Sequence, residues 1–489
     1  MKKILKSVSF NNNEIDQIAK TIDQMKPTSK ELSNLIPIFL ESMKTSVIDD
    51  IFLKKSINSQ YQSKNLIILK IKNFFFYLFK SLRTFRLLSQ NNVINQCDIV
   101  FYPVQPTHVL VASPVIHYLI NKGIKVEVVV DREKIYHLLK QENIQSIFIK
   151  KKNLSLFIDS SLKGEISNAL LLLSKANYRD QNYKNRAKDI IEILHNKINS
   201  FATILATYRF IESSLNPKVI IVGNDITEVG RAISMLASKN IVTHSIMHGN
   251  VSGWNAHKFH SANIIHVFGE SSYNSLIDYG INKKNICISG APHITIPKPN
   301  IKISQLLRKK GFSKYILVAL SGPGFTVTES NHIKIIDEIR IAANQIKGCL
   351  FIIKLHRKDD DKYYNNMPLN VAIFDNTSRY LPQSINEIIL QSEAVLTGGS
   401  SVGIEAIALN KQVITIDMME ELTEVSFIKH GFTKHVTENG KLSNVISNVF
   451  LNDNNGNSKK NLDTSTIFKR TGSEASEFIA KRIIKDVNL

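Results

Sequence analysis

The sequence predicts an α/β protein with two doubly wound, Rossmann-like domains facing a cleft and an N-terminal helical extension. Three observations carry that prediction. From Asp98 onward, short runs rich in Val, Ile and Leu alternate with longer amphipathic stretches, the signature of βαβ units around a parallel sheet. The segment Pro292 to Ser304 holds three prolines and reads as a linker between two such series. The chain has 489 residues, enough for two sizeable cores with appendages. The expected division is a helical extension over 1–95, a first domain over 96–295, a second over 305–452, and a mobile loop with a C-terminal helix over 453–489.

Taken in order, the extension shows helical apolar spacing from Asn11 to Met43, broken by Pro27 and Pro37. Its segment Leu66 to Arg86 is apolar and basic and carries no acid. Such a helix can lie in an anionic membrane surface, with aromatics in the acyl boundary and Lys/Arg at the headgroups. It can equally pack on the first domain with its lysines reaching solvent. The first domain opens with a strand from Asp98 to Val104, a loop from Gln105 to Val109 and a helix from Leu110 to Asn121. Strand, helix and short strand follow around Val128, Tyr136 and Phe148, and Ser161 to Leu215 reads as mostly helical. Strands around Ile220, Thr243, Ile265 and Cys287 complete the first sheet. In the second domain, strands begin at Tyr315, Leu350, Val371, Ala394 and Val413, with helices between them and a last helix from Ser473 to Lys485. The polar stretch Leu451 to Thr464 reads as the mobile loop.

Hydrophobic content of 43% and charged content of 21% are ordinary for a soluble globular protein. No apolar run is long enough for a transmembrane helix. The basic start has no long apolar stretch behind it, which argues against a signal peptide. The three cysteines are scattered without metal spacing and fit a reducing cytoplasm. A net charge of +20 favours phosphorylated substrates or anionic lipid. No helix-turn-helix, zinc finger or RNA-binding signature accompanies it, so no nucleic acid partner is expected. The expected location is cytoplasmic, with peripheral attachment to the inner face of the plasma membrane where Leu66 to Arg86 touches lipid.

Three turns in the second domain follow strands and so share the carboxyl edge, where open α/β sheets bind ligands. Ser321-Gly322-Pro323-Gly324 offers backbone N–H groups with little side chain in the way. Lys354 and His356 offer a cation and an imidazole. Gly398-Gly399-Ser400-Ser401 empties into a helix N-terminus, whose unpaired N–H groups and dipole favour a phosphate. The serines can cap that helix or bond a phosphate oxygen, and Glu405, one turn in, can reach a ribose hydroxyl. Each feature alone also fits a capped turn or a solvated strand end. Together they describe a diphosphate-sized anion site.

In the first domain, His248 ends a strand and faces the same cleft, with a pKa suited to a general base. His244 shares its face and is placed to orient it, and His108 faces the cleft from the loop after the first strand. Asp225, with Glu228 nearby, is the leading carboxylate, or else the N-cap of the helix starting at Glu228. The sequence is expected to hold no Asp-x-Asp motif, which suits a metal-independent mechanism without a cofactor.

Three short motifs carry a resemblance. Met247-His-Gly-Asn is similar to a His-Gly motif, Ile353-Lys-Leu-His-Arg to a Lys-Leu-His-Pro motif, and Thr397-Gly-Gly-Ser-Ser to a paired-serine motif. All three belong to GT-B glycosyltransferases of the group that holds capsule polymerases, polysialyltransferases and CDP-glycerol glycerophosphotransferases. Thr471-Gly-Ser-Glu-Ala-Ser-Glu-Phe-Ile-Ala resembles the closing helix of such enzymes. Arg357 stands where the group usually has proline, and Gly398-Gly399 where it has an Asp-Tyr-type pair. The resemblance implies a GT-B fold with an acceptor domain first and a donor-nucleotide domain second. It implies a glycosyltransferase of surface or capsular polysaccharide biosynthesis, moving a sugar or polyol phosphate from a nucleotide-activated donor to a glycan or lipid-linked acceptor. His248 would then be the base, and His356 and the serines would hold donor phosphate. A Gly-Gly-Ser turn with a later Glu-Ala also resembles UDP-GlcNAc 2-epimerases, although their early Gly-x-Arg-Pro-Glu motif is absent. A non-catalytic GT-B scaffold is the third expectation.

Overall fold

The computed structural model describes residues 38–44, 96–149, 181–237, 241–249, 255–323, 327–356, 359–375, 381–382, 384–423, 425–454 and 464–488, with single positions between them. The first domain is built from β1 (Ile99–Tyr102), α1 (Pro106–Asn121), β2 (Val126–Val130), α2 (Glu133–Gln141), β3 (Ile147–Phe148), α3 (Gln181–Phe210), β4 (Val219–Val222), α4 (Glu228–Ala237), β5 (Val242–Ile246), β6 (Ile264–Val267), α5 (Glu270–Asp278) and β7 (Ile286–Ile288). Its seven strands run in the order β3-β2-β1-β4-β5-β6-β7, and every pairing is parallel.

Strand alternation deals the apolar residues to two cores. Val100 and Tyr102 of β1, with Ile220 and Val222 of β4, point into a cluster with α3 and α4. Ile99, Phe101, Val219 and Ile221 point the other way, onto α1 and α2. Residues 38–44 join the first of these layers, where Phe39 meets Phe201 edge to face at 5.1 Å. The segment Leu66 to Arg86 lies outside the described residues, and no described helix is long and apolar enough to cross a membrane.

The second domain comprises α6 (Ile301–Lys310), β8 (Tyr315–Val318), α7 (Glu329–Gln345), β9 (Leu350–Lys354), β10 (Val371–Phe374), α8 (Ile385–Gln391), β11 (Ala394–Thr397), α9 (Val402–Ala408), β12 (Gln412–Ile416), α10 (Ser426–Lys429), β13 (Lys434–Val436) and α11 (Leu442–Asn454). Its six strands follow the order β10-β9-β8-β11-β12-β13 and are again parallel throughout. The chain then returns to the first domain. Phe468 stacks on Phe268 at 6.0 Å, Thr471 bridges Ala291, and α12 (Gly472–Val487) lies along α1. There it buries Ile479, Ala480, Ile483 and Val487 in the first domain's core, at about 1.5–3 kcal/mol for each large aliphatic side chain.

Four boundaries differ from the sequence reading. The stretch expected as a loop, Gln105 to Val109, is mostly the first turn of α1, because Pro106 sits at a position where its missing N–H costs nothing. The linker ends at Asn300, whose side chain accepts the Lys302 N–H and starts α6. Strand β13 escapes the apolar pattern because two of its three residues are exposed. Helix α11 continues to Asn454, past the expected start of the mobile loop at Leu451.

Candidate active site

Each sheet is built outward in both directions from a pair of central strands, β1 and β4 in one domain, β8 and β11 in the other. At such a switch point the following loops part and leave a crevice beyond the carboxyl ends. The sequence candidates divide between these two crevices.

In the first, His108 sits in the opening turn of α1, directly after β1. Its Nδ1 accepts the Val104 N–H at 3.3 Å. Its ring rests on Gly223 at the end of β4, where a Cβ would stand 2.1 Å from His108 Cγ. His248, beyond β5, brings its ring centroid to 4.9 Å from that of His108 and hydrogen-bonds the Gly223 backbone. The fold thus joins His108 and His248 over a glycine floor. Burial, then the neighbouring His248 and Arg132, hold His108 well below the usual imidazole range. Burial also lowers His248, with the Gly223 bond opposing it. Both rings are therefore neutral near pH 7.

Three further histidines line this region, and strand-end reasoning missed them because none ends a strand. His257 stacks on His260 at 5.7 Å, and burial followed by His260 and His248 lowers its pKa to about 3. His293 lies at the start of the linker and is lowered to about 4 by burial and then by His248.

Asp225 has a different place from the one expected. It is fully buried, with Oδ1 2.7 Å from His260 Nδ1 and Oδ2 accepting the N–H groups of Ser261 at 2.7 Å and Ala262 at 2.8 Å. Both oxygens are spent on bracing that turn. Burial alone would raise its pKa, but His260 and the two N–H bonds prevail and keep it far below the carboxylate range. Glu228 is held by Ser200 at 3.0 Å and Lys197 at 3.6 Å. His244 does not orient His248. Its partners are His266 at 2.9 Å and Asp486 of α12 at 3.0 Å, because its side of β5 faces that helix.

At the second crevice, Ser321-Gly322 follows β8 and Gly398 to Ser401 follows β11, so the two glycine turns flank the switch point. Gly322 has φ +71° and Gly399 φ +84°, values that disfavour any side chain. Gly324 and Arg357 lie outside the described residues. The Ser400 N–H donates to Thr397 Oγ1 at 3.1 Å. Ser401 is exposed, and its hydroxyl caps nothing on α9. Helix α9 spans only seven residues, so its dipole is a lesser attraction than the hydroxyls. Glu405 has no hydrogen-bond partner for its carboxylate among the described residues, and burial pushes its pKa up to about 7.

Lys354 ends β9, one strand away from the crevice, and pairs in register with Phe374, next to Asp375. Burial lowers its pKa while Asp375 opposes the shift. His356 follows on a loop pinned by Asp359, which takes His332 Nε2 at 3.0 Å and the Tyr364 hydroxyl at 2.6 Å. Asp359 to Asp361 does form an Asp-x-Asp run, which the sequence reading passed over, and its first carboxylate is committed to these two partners. Among the described residues no cluster of three His, Cys, Asp or Glu side chains could hold a metal ion. A last wall comes from the loop after β12, where buried Asp417 accepts the N–H groups of Glu421 at 3.0 Å and Leu422 at 2.7 Å. Leu422 then packs against Gly399.

No protein-family model matches the chain, and no curated protein matches it. Solved structures do. The UDP-GlcNAc 2-epimerase of Neisseria meningitidis, bound to UDP-GlcNAc, is 15% identical over 79% of this chain and 99% of its own, with a TM-score of 0.51. MnaA of S. aureus, solved with UDP, is 13% identical over 81% and 98%, with a TM-score of 0.52. The UDP-GlcNAc 2-epimerase of Methanocaldococcus jannaschii, in complex with UDP-GlcNAc and UDP, is 16% identical over 79% and 99%, with a TM-score of 0.50. At such identities the likeness speaks for the fold, which is GT-B-like: two Rossmann-like parallel-sheet domains, with the C-terminal helix packed back on the first.

Proposed function

We propose that the chain is a nucleotide-sugar enzyme of the GT-B type, and specifically a transferase that moves a sugar from a nucleotide-activated donor to a hydroxyl of a glycan or lipid-linked acceptor in surface polysaccharide synthesis. The observation that carries this reading is the chemical division between the two crevices. The first holds neutral imidazoles around His248. The second holds two left-handed glycine turns, serine hydroxyls and the Glu405 carboxyl, whose pKa burial holds at about 7.

In this reading His248 removes the proton of an acceptor hydroxyl. The oxygen attacks the anomeric carbon, the bond from that carbon to the phosphate oxygen breaks, and its electron pair leaves with the nucleotide. Ser321, Gly322, Gly398, Gly399, Ser400 and Ser401, with Lys354 and His356, meet the charge on the leaving phosphate. Glu405 accepts a hydrogen bond from the ribose. No metal takes part, so a chelator leaves turnover unchanged. The test is thermal stabilisation by UDP, CDP, CMP and GDP, followed by turnover of the matching sugar donor. A nucleotide at a hundred times its Kd stabilises by about 2.7 kcal/mol. His248→Ala abolishes transfer and keeps that stabilisation, and retained turnover would sink the assignment of His248 as base.

A second reading is a UDP-GlcNAc 2-epimerase, favoured by the solved structures with that activity, whose length the chain spans almost fully. Incubation with UDP-GlcNAc and no acceptor separates the two. An epimerase yields the manno product or releases ManNAc, whereas a transferase yields neither.

A further inference from the structure

We propose that His108 and His248 form a single oxygen-binding subsite for the acceptor hydroxyl, in which His108 is a fixed hydrogen-bond donor through Nε2 and His248 alone accepts the proton. This rests on the transfer reading above. A backbone N–H can only donate, so the bond from Val104 N–H to His108 Nδ1 requires a lone pair there. The ring proton of neutral His108 is therefore on Nε2. That nitrogen is buried and has no partner. Both ring nitrogens are thus assigned, one to the backbone and one to an unanswered N–H, and no lone pair is left to receive a substrate proton.

The seat is specific. Pro106 starts α1 so that His108 falls in its first turn, and Gly223 leaves room for the ring where any Cβ would overlap it. His248 hydrogen-bonds the same glycine, which sets the two imidazoles side by side over one floor. A buried N–H without an acceptor is unfavourable, and a substrate oxygen entering beside His248 would answer it. The chemical class is a sugar hydroxyl. Its oxygen accepts from His108 Nε2–H while its proton passes to His248, so the attacking oxygen is held throughout and the His108 proton never moves.

The experiment uses the full chain with 15N-labelled histidine, and His108→Gln and His108→Phe beside the wild type. Ring nitrogen shifts report the tautomer without any substrate. The expected result is a neutral Nε2–H imidazole that does not titrate between pH 5 and 8 and is missing from both variants. An Nδ1–H tautomer, or a titration in that range, overturns the proposal. Turnover of UDP-GlcNAc with a monosaccharide acceptor panel gives the second measurement. His108→Gln, whose amide can donate from a similar position, stays within about tenfold of wild type in kcat. His108→Phe falls about a hundredfold with KM for UDP-GlcNAc unchanged. The acidic limb of the pH profile is the same in wild type and His108→Gln, because it belongs to His248. A shifted limb makes His108 the base, and a fully active His108→Phe makes it packing alone; either refutes the subsite. If no sugar donor is turned over, the transfer reading fails on its own, and the nitrogen shifts still decide the tautomer on which the donor role depends.

Discussion

Replacing Asp225 separates a structural brace from a catalytic carboxylate. Asp225→Ala removes an acceptor from His260 and from the N–H groups of Ser261 and Ala262, all at 2.7–2.8 Å and all around a residue with no exposed surface. Hydrogen bonds to a charged group contribute about 1.5–3 kcal/mol each, but they share one site and do not add fully. A loss of roughly 3–5 kcal/mol follows, within the range for breaking a buried network. At about 2–4 °C per kcal/mol for a domain of this size, the first domain should melt about 10 °C lower. The sign with pH follows from the depressed pKa. The stabilisation is complete above the unfolded carboxylate value of about 3.9 and fades as pH falls through the folded value. Calorimetry at pH 7 and at pH 3 should therefore show a gap between wild type and variant that narrows in acid. An Asp225→Ala protein with unchanged melting and no turnover would refute the brace and restore the catalytic carboxylate.

Further expectations are of the same kind. Asp486→Ala unclasps α12 from His244 of β5 and removes the partner of Arg482 one turn earlier on the same helix, and should cost about 2–4 kcal/mol, read as faster amide exchange along α12. Burial would raise the Asp486 pKa, but His244 and Arg482 hold it at about 2, so that stabilisation too is lost only in strong acid. An ionised Glu405 accepts from a ribose more strongly than the neutral acid, so UDP affinity should rise with pH through about 7, and Glu405→Gln should flatten that rise in a calorimetric titration. Its raised pKa also means that the empty protein loses stability as pH climbs through 7, so Glu405→Gln should melt higher than wild type at pH 8. Gly399→Ala places a Cβ at φ +84° and 3.1 Å from Leu422. It should cost about 1–3 kcal/mol and weaken nucleotide stabilisation in the same melts.

The parallel sheets were legible because each buried strand is a short apolar run whose alternate residues serve two cores. The period that marks a strand is also the one that assigns Ile99 to one layer and Val100 to the other. The glycine turns were legible for a related reason. A left-handed backbone leaves a mark in the sequence, and strand-to-helix order places that mark on the carboxyl edge. Direction of bonding was not legible. His244 and His248 are four residues apart on one strand and its exit, yet one faces α12 and the other faces Gly223. Asp225 looked free because its acceptors are used by residues more than thirty positions away, at Ser261 and Ala262. His260 and His293 were hidden for the same reason, since a long-range neighbour carries no periodicity.

The two switch points bear differently on the choice between transfer and epimerisation. Either reading would have the second crevice bind a nucleotide, so its glycine turns and Glu405 cannot separate the reactions. The first crevice can. Epimerisation at the carbon next to the anomeric centre must take a proton from one face of the sugar and return one to the other, which calls for two groups that exchange protons. Among the imidazoles gathered there, His108 is locked by Val104 and His260 by Asp225. His248 hydrogen-bonds the Gly223 backbone and lies beside His108 at the crevice. With Nδ1 of His108 taken by Val104, the His108–His248 pair suits a single deprotonation of an incoming hydroxyl. A two-histidine exchange would require the Val104 bond to break, and a Val104→Pro protein, which lacks that N–H, would then gain epimerisation of UDP-GlcNAc rather than lose transfer.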